Sequence, residues 1–209
     1  MKKIILIFSI AFCFLKMATV FSAPLQLPME FTVSQRWLSW SSDFDIDTPD
    51  YKLGYVHCKV LSLLTQYDFY DNNDVLKAKG VMRWFSWGAT FDVSDAQDAL
   101  IGRVEERVLN FLPTFEIISP ANNILAVAKL NVLGTTYTFT DPVSQREIAT
   151  LQRSFWALKD DWTMKITDPE LFATKQIDPR LFILVAVFQS DSDVQAAYDM
   201  LNSGVYNRP

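Results

Sequence analysis

An aromatic residue followed two positions on by a second large apolar residue, and then by a polar turn, recurs six times in this chain. The anchors are Phe44, Tyr67, Phe91, Phe115, Tyr137 and Trp162, separated by 23, 24, 24, 22 and 25 positions. Five and six positions ahead of the first four stand a small polar residue and a bulky one: Leu38-Ser39, Leu61-Ser62, Phe85-Ser86 and Leu109-Asn110. A register sustained over six units points to a repeat architecture. Within each unit the apolar residues alternate with period two, as in a half-buried strand. Phe44/Ile46, Tyr67/Phe69, Phe91/Val93, Phe115/Ile117, Tyr137/Phe139 and Trp162/Met164 face one way. Asp45, Asp68, Asp92, Glu116, Thr138 and Thr163 face the other.

Turn-rich segments follow the anchors, among them Asp71-Asn72-Asn73-Asp74, Ser94-Asp95-Ala96-Gln97-Asp98 and Pro120-Ala121-Asn122-Asn123. Their side chains favour tight turns through local hydrogen bonds. A return strand then begins, for example Val75 to Trp84 or Ile124 to Leu130. Six units of two strands predict twelve. The last stretch changes period. Asp178-Pro179 is a helix start, and Leu181 to Phe188 is apolar on every side, so this helix must be buried. The spacing predicts a central helix over about 179–190. Ser192 and Gln195 read as a capping box for a second helix over about 192–203. Twelve strands and one greasy helix predict a mainly-β protein: a closed barrel of six hairpins around its own C-terminal helix, with no exposed sheet edge.

The run from Phe31 to Asp191 resembles the LURP-one-related family, a relative of Tubby C-terminal domains and phospholipid scramblases. The resemblance rests on the reiterated Trp-Leu-Ser-Trp…Phe-Asp-Ile-Asp, Val-Leu-Ser-Leu…Tyr-Asp-Phe-Tyr-Asp and Trp-Phe-Ser-Trp…Phe-Asp-Val-Ser-Asp. The closing Asp-Pro-Arg-Leu-Phe-Ile-Leu-Val-Ala-Val-Phe-Gln-Ser-Asp adds to it. It implies a twelve-stranded barrel around a hydrophobic helix over residues 23–209. Relatives include phosphoinositide binders and lipid-moving proteins. This chain departs from them in carrying an export signal and no basic headgroup cluster, so phosphoinositide binding is not carried over to it.

That signal occupies residues 1–22. Lys2 and Lys3 precede a 12-residue apolar run, Ile4 to Leu15, and a small-residue site follows at Val20-Phe21-Ser22-Ala23. The run is too short to span a bilayer, which takes roughly 20 residues. Cleavage after Ser22 fits best; cleavage after Ala23, or retention as an anchor, are the alternatives. The expected address is periplasmic or secreted, with no integral membrane segment after cleavage. Removing three lysines leaves 16 basic against 24 acidic residues, a net charge of −8. So acidic a chain argues against nucleic acid as a partner. One cysteine, Cys58, remains, so no intramolecular disulfide is available. The expected partner is a protein or a lipid, and the oligomeric state is open.

No chemistry is nominated. Asp43, Asp45, Asp47 and Asp50 suggest a calcium loop, but an EF-hand would need Gly at 48 and Glu at 54 where the chain has Thr48 and Gly54. The repeat accounts for these aspartates as outward-facing strand and turn residues. His57 and Cys58 are neighbours on a strand and point to opposite faces, which separates a nucleophile from its base. Glu105-Glu106 read as a solvated strand face. No enzyme, metal or cofactor is expected. The candidate interaction surface is Trp37 and Trp84, outward-facing beside Ser39 and Ser86. The alternative is that neighbouring strands, or the segment Pro24 to Phe31, cover them. The leading expectation is an exported binding or interaction module; the other is a lipid-handling protein of scramblase type.

Overall fold

The computed structural model describes residues 28–36, 43–61, 64–84, 89–107, 114–154 and 161–205, and of residues 60, 61, 84 and 193–205 the backbone alone. The strands are β1 (Glu30–Gln35), β2 (Asp43–Asp47), β3 (Lys52–Leu61), β4 (Leu64–Asp71), β5 (Leu76–Trp84) and β6 (Ala89–Asp95). They continue with β7 (Leu100–Arg107), β8 (Thr114–Ile118), β9 (Ile124–Leu130), β10 (Thr136–Thr140), β11 (Glu147–Arg153) and β12 (Trp162–Ile166). Each pairs antiparallel with its sequence neighbours. β1 closes on β12 with Phe31 opposite Met164 and Val33 opposite Trp162. The twelve-stranded closed barrel is therefore the fold, and Phe31, at the edge of the segment considered as an outer cover, is instead a buried residue of its wall.

All six anchors point inward and are at most 2% exposed. They lie on the even-numbered strands, and small residues of the odd-numbered strands stand opposite several of the large residues there. Phe69 stands opposite Ala78, Phe115 opposite Ala128, and Phe139 between Ala128 and Ala149. Where such small residues line the wall, they leave axial space. A barrel of about eight strands is narrow enough for its own side chains to fill, and twelve strands are not.

The space is taken by helix α2 (Pro179–Val205), whose residues Leu181 to Phe188 are all buried. Phe182 meets Phe139 and Phe172 at ring-centroid distances of 4.8 and 5.5 Å, and Phe188 meets Phe91 at 4.4 Å. Where the sequence divides this segment at Ser190–Asp191, the structure has one continuous helix. No Gly or Pro interrupts it between Pro179 and Gly204, and the capping signal at Ser192 loses to helix continuation. A short helix that the sequence reading omits, α1 (Pro169–Thr174), precedes it. The Asp168 side chain caps α1 by accepting from Leu171 N.

One irregularity recurs. Five odd-numbered strands, from β3 to β11, carry a register shift against the preceding even strand, so that Leu53, Lys77, Ile101, Leu125 and Ile148 are each extra residues. Such a bulge resets the alternation. Leu53 and Ile148 thereby join the core, and Ile101 and Leu125 pack against it. The bulge at Lys77 also frees a carbonyl that accepts from Arg180 Nη1 at 2.8 Å, which pins the start of α2 to the wall. The turns beside the bulges repeat as well. Asp71 Oδ1 accepts from Asn73 N and Val75 N, and Asp95 Oδ1 from Gln97 N and Ala99 N. Asp74, Asp98 and Asn122, each 24 positions apart, take positive φ of 60°, 64° and 65°.

Candidate functional site

Two places bring functional side chains together. The first is inside, where α2 leaves the barrel. Two of the six anchors are tyrosines, and a buried hydroxyl needs a partner. Tyr137 OH donates to Gln189 Oε1 at 2.9 Å, and Tyr67 OH donates to Asp191 Oδ2 at 2.9 Å. Cys58 lies opposite Tyr67 on the paired strand. The set contains a thiol, a phenol and a carboxyl, yet none is poised to react. Burial, and then the charge of Asp191 and Asp43, push the Cys58 thiol up to about 12. Burial likewise raises Tyr67 and Asp191 above their ordinary ranges. A thiolate is the nucleophilic form of cysteine, so burial disfavours Cys58 as a nucleophile, while the two hydroxyl bonds latch the helix to the wall. In the native protein Cys58 should remain unlabelled by a thiol-specific reagent at pH 8 while labelling fully in denaturant; rapid native labelling would contradict its burial.

The latch has a pH signature. Asp191 has a folded-state pKa raised above the unfolded value of 3.8. The folded state therefore holds more protons, and stability falls as pH rises from 3.8 through the folded value. Urea melts of Asp191→Asn should lack this decline while the parent chain shows it. Asp141 works in the opposite sense. Hydrogen bonds from Lys175 and Ser144 hold its carboxylate far below the usual range. Its contribution is present above 3.8 and is lost on strong acidification.

The second place is outside, on β3 and β4. Tyr55 and Tyr70 are cross-strand partners whose rings stack at 5.2 Å and 16°. The Arg36 guanidinium lies 4.9 Å from the Tyr55 ring centroid. Asp45 ties it down, accepting from Arg36 Nε at 2.8 Å and from Lys52 Nζ at 2.5 Å. Burial alone would raise the Asp45 carboxyl, but the hydrogen bonds from Arg36 and Lys52 hold it below its ordinary value. Tyr55 OH donates to Asp74 Oδ1 at 3.1 Å, and burial and Asp74 both raise its pKa. The result is a half-buried aromatic pair edged by fixed charges of both signs.

Of the residues that the sequence singles out, Trp37 and the side chain of Trp84 at the end of β5 lie outside the described residues, as does the signal segment 1–22. His57 points outward with Nδ1 2.5 Å from Asp43 Oδ1, and Cys58 points inward. Asp45 is engaged by Arg36 and Lys52. Glu105 lies on the outer face of β7 with Arg103 and Arg107 within 3.4 Å. Among the described residues no group of three or more His, Cys, Asp or Glu could hold a metal, and no helix is long and apolar enough to cross a membrane. The tyrosine pair escapes a sequence reading because it depends on the β3–β4 register. The two tyrosine anchors were legible as hydroxyls in search of partners.

No family model and no curated protein matches the chain. In structure it is similar to an X-ray structure of a protein from Arabidopsis thaliana, at a TM-score of 0.52 and 14% sequence identity. The match covers 79% of this chain and 93% of that one. At that identity the likeness shows the fold alone.

Proposed function

We propose that this protein is an exported, non-enzymatic binding module that works through the outside of its barrel. The observation that carries the reading is the lumen: the apolar stretch Leu181 to Phe188 fills it, and burial pushes the acidic groups at its mouth toward their neutral, hydrogen-bonded forms. Recognition then falls to the surface, where the Tyr55–Tyr70 stack offers rigid, amphipathic contact area. Trp37 and Trp84 extend this reading as the aromatic positions that the repeat directs outward. Membership of the LURP-one-related family belongs to the same proposal, supported by the repeat and by the shared fold of the Arabidopsis protein.

Affinity purification of the exported protein tests it. A stoichiometric protein partner is expected, reduced at least tenfold by Tyr55→Ala/Tyr70→Ala, and weakened by Trp37→Ala and Trp84→Ala, with melting curves retained. Recovery of a turnover activity, or of no partner in any growth condition, would contradict it. Lipid handling of scramblase type is the competing reading, and burial of the helix weighs against it. Co-flotation with liposomes would favour that alternative. Export itself predicts an N-terminus at Ala23 on sequencing; Met1 would contradict cleavage.

A further inference from the structure

The two ends of the barrel are chemically unlike. At the end where the odd-numbered strands begin, the repeat leaves a large apolar residue on the rim: Met29, Tyr51, Val75, Leu100, Ile124 and Val143, each between 42% and 84% exposed. One precedes or opens every odd-numbered strand, so they are spaced around the rim rather than gathered on one side. Successive positions are two strands apart, about 10 Å along the rim.

The same end carries the acidity of the molecule. Residues 28–30, 47–52, 71–77, 95–99, 119–123, 141–147 and 167–180 form it, with twelve acidic and five basic residues. That balance of −7 compares with −8 for the chain without residues 1–22, so the rest of the exported protein carries only −1. All five bases are already engaged: Lys52 by Asp45, Lys77 by Asp71, Arg146 by Asp168, Lys175 by Asp141 and Arg180 by Asp178; Lys79 and Lys165 of the wall reach in to Asp98 and Glu30, and the acidic residues still outnumber the bases. What this end presents outward is apolar side chains set in net negative charge.

We infer that this rim is a docking face for a cationic, amphipathic segment of a partner protein. The inference rests on the binding-module reading and adds to the Tyr55–Tyr70 stack a second contact surface and the chemistry of its partner. The charge selects the occupant. An anionic lipid surface or nucleic acid is repelled, and a second copy of the chain would set −7 against −7. A basic helix complements both features at once. Its apolar face returns every turn, about 5.4 Å, so residues seven apart, about 10.5 Å, can reach two successive rim residues.

The probe is a labelled 21-residue peptide of leucine and lysine with one apolar face, with a leucine–glutamate peptide of the same pattern as its counterpart. Fluorescence anisotropy should show binding of the lysine peptide alone, weakening steeply from 50 to 500 mM salt. Tyr51→Ser/Val75→Ser and Asp47→Asn/Asp50→Asn should each weaken it at least tenfold with unchanged melting curves. Val132→Ser/Leu133→Ser, at the equally apolar hairpin tip on the opposite end, should leave it unchanged. Equal affinity for the rim variants, equal loss from the Val132/Leu133 variant, or a dimer in sedimentation that the rim variants dissolve would each overturn the assignment. A natural partner that still co-purifies with the rim variants would overturn the rim alone and leave the binding module standing.

Discussion

Leu184→Asp should abolish the folded barrel. Leu184 is 2% exposed at the middle of the plugging helix, and its Cδ1 would lie 2.9 Å from a Cβ placed on Gly80 of the wall. An aspartate here loses the packing of a buried leucine, which is worth roughly 2–5 kcal/mol. It also leaves a carboxylate with no partner in an apolar lumen, where the desolvation penalty adds several kcal/mol. Domains of this size have about 5–15 kcal/mol in all. The variant should therefore show no cooperative transition in urea and should be recovered unfolded. Leu184→Met keeps the volume and should lose less than about 1.5 kcal/mol. A cooperative Leu184→Asp melt near that of the parent would mean the helix does not occupy the lumen.

Gly54→Ala should be the most damaging single methyl in the wall. Its Cβ would sit 2.0 Å from Tyr70 O and 3.0 Å from Asp71 Cα, both backbone atoms of the paired strand. Neither can move without parting β3 from β4, so a loss of about 3 kcal/mol or more is expected, at the upper end for overpacking. Gly80→Ala offers the contrast. Its new methyl meets the far end of a flexible side chain, Leu184 Cδ1 at 2.9 Å, and the loss should be about 1 kcal/mol, at the lower end of the same range. Adding Leu184→Val should relieve part of it, a coupling that a double-mutant cycle in urea reads directly. If Gly54→Ala proves as mild as Gly80→Ala, β3 and β4 do not pair in this register.

The barrel was legible because its information is local and repeated. Period two, six aromatic anchors and a turn after each define hairpins without reference to any distant residue, and a wholly apolar helix has nowhere to go but inside. The start of α2 was legible at Asp178-Pro179. The identical pair Asp168-Pro169 carries the same signal for α1 and was there to be read. The small residues that stand opposite the second apolar position of the first four units, Gly54, Ala78, Gly102 and Ala126, were also visible as a second, fainter repeat. The break expected at Ser192 failed for a different reason. Ser190 and Asp191 are buried in the barrel mouth, and tertiary burial there favours continuing the helix over capping a new one.

What lies beyond the sequence is whatever depends on register. The bulges at Leu53, Lys77, Ile101, Leu125 and Ile148 exist only relative to a partner strand. The Tyr55–Tyr70 stack and the pairing of Tyr67 with Asp191, 124 positions apart, are likewise invisible until the strands are aligned. Rim residues such as Val75 and Ile124 read as ordinary strand starts; only closure into a ring makes them a surface.

Amide hydrogen exchange over Leu181 to Phe188, followed by mass spectrometry with and without liposomes, tests the central claim most directly. A helix sealed in the lumen exchanges only when the whole barrel opens, so these amides should be as slow as those of β4 and β10 and indifferent to lipid. Exchange within seconds in native buffer, or protection that appears only when liposomes are added, would contradict a helix sealed inside the barrel.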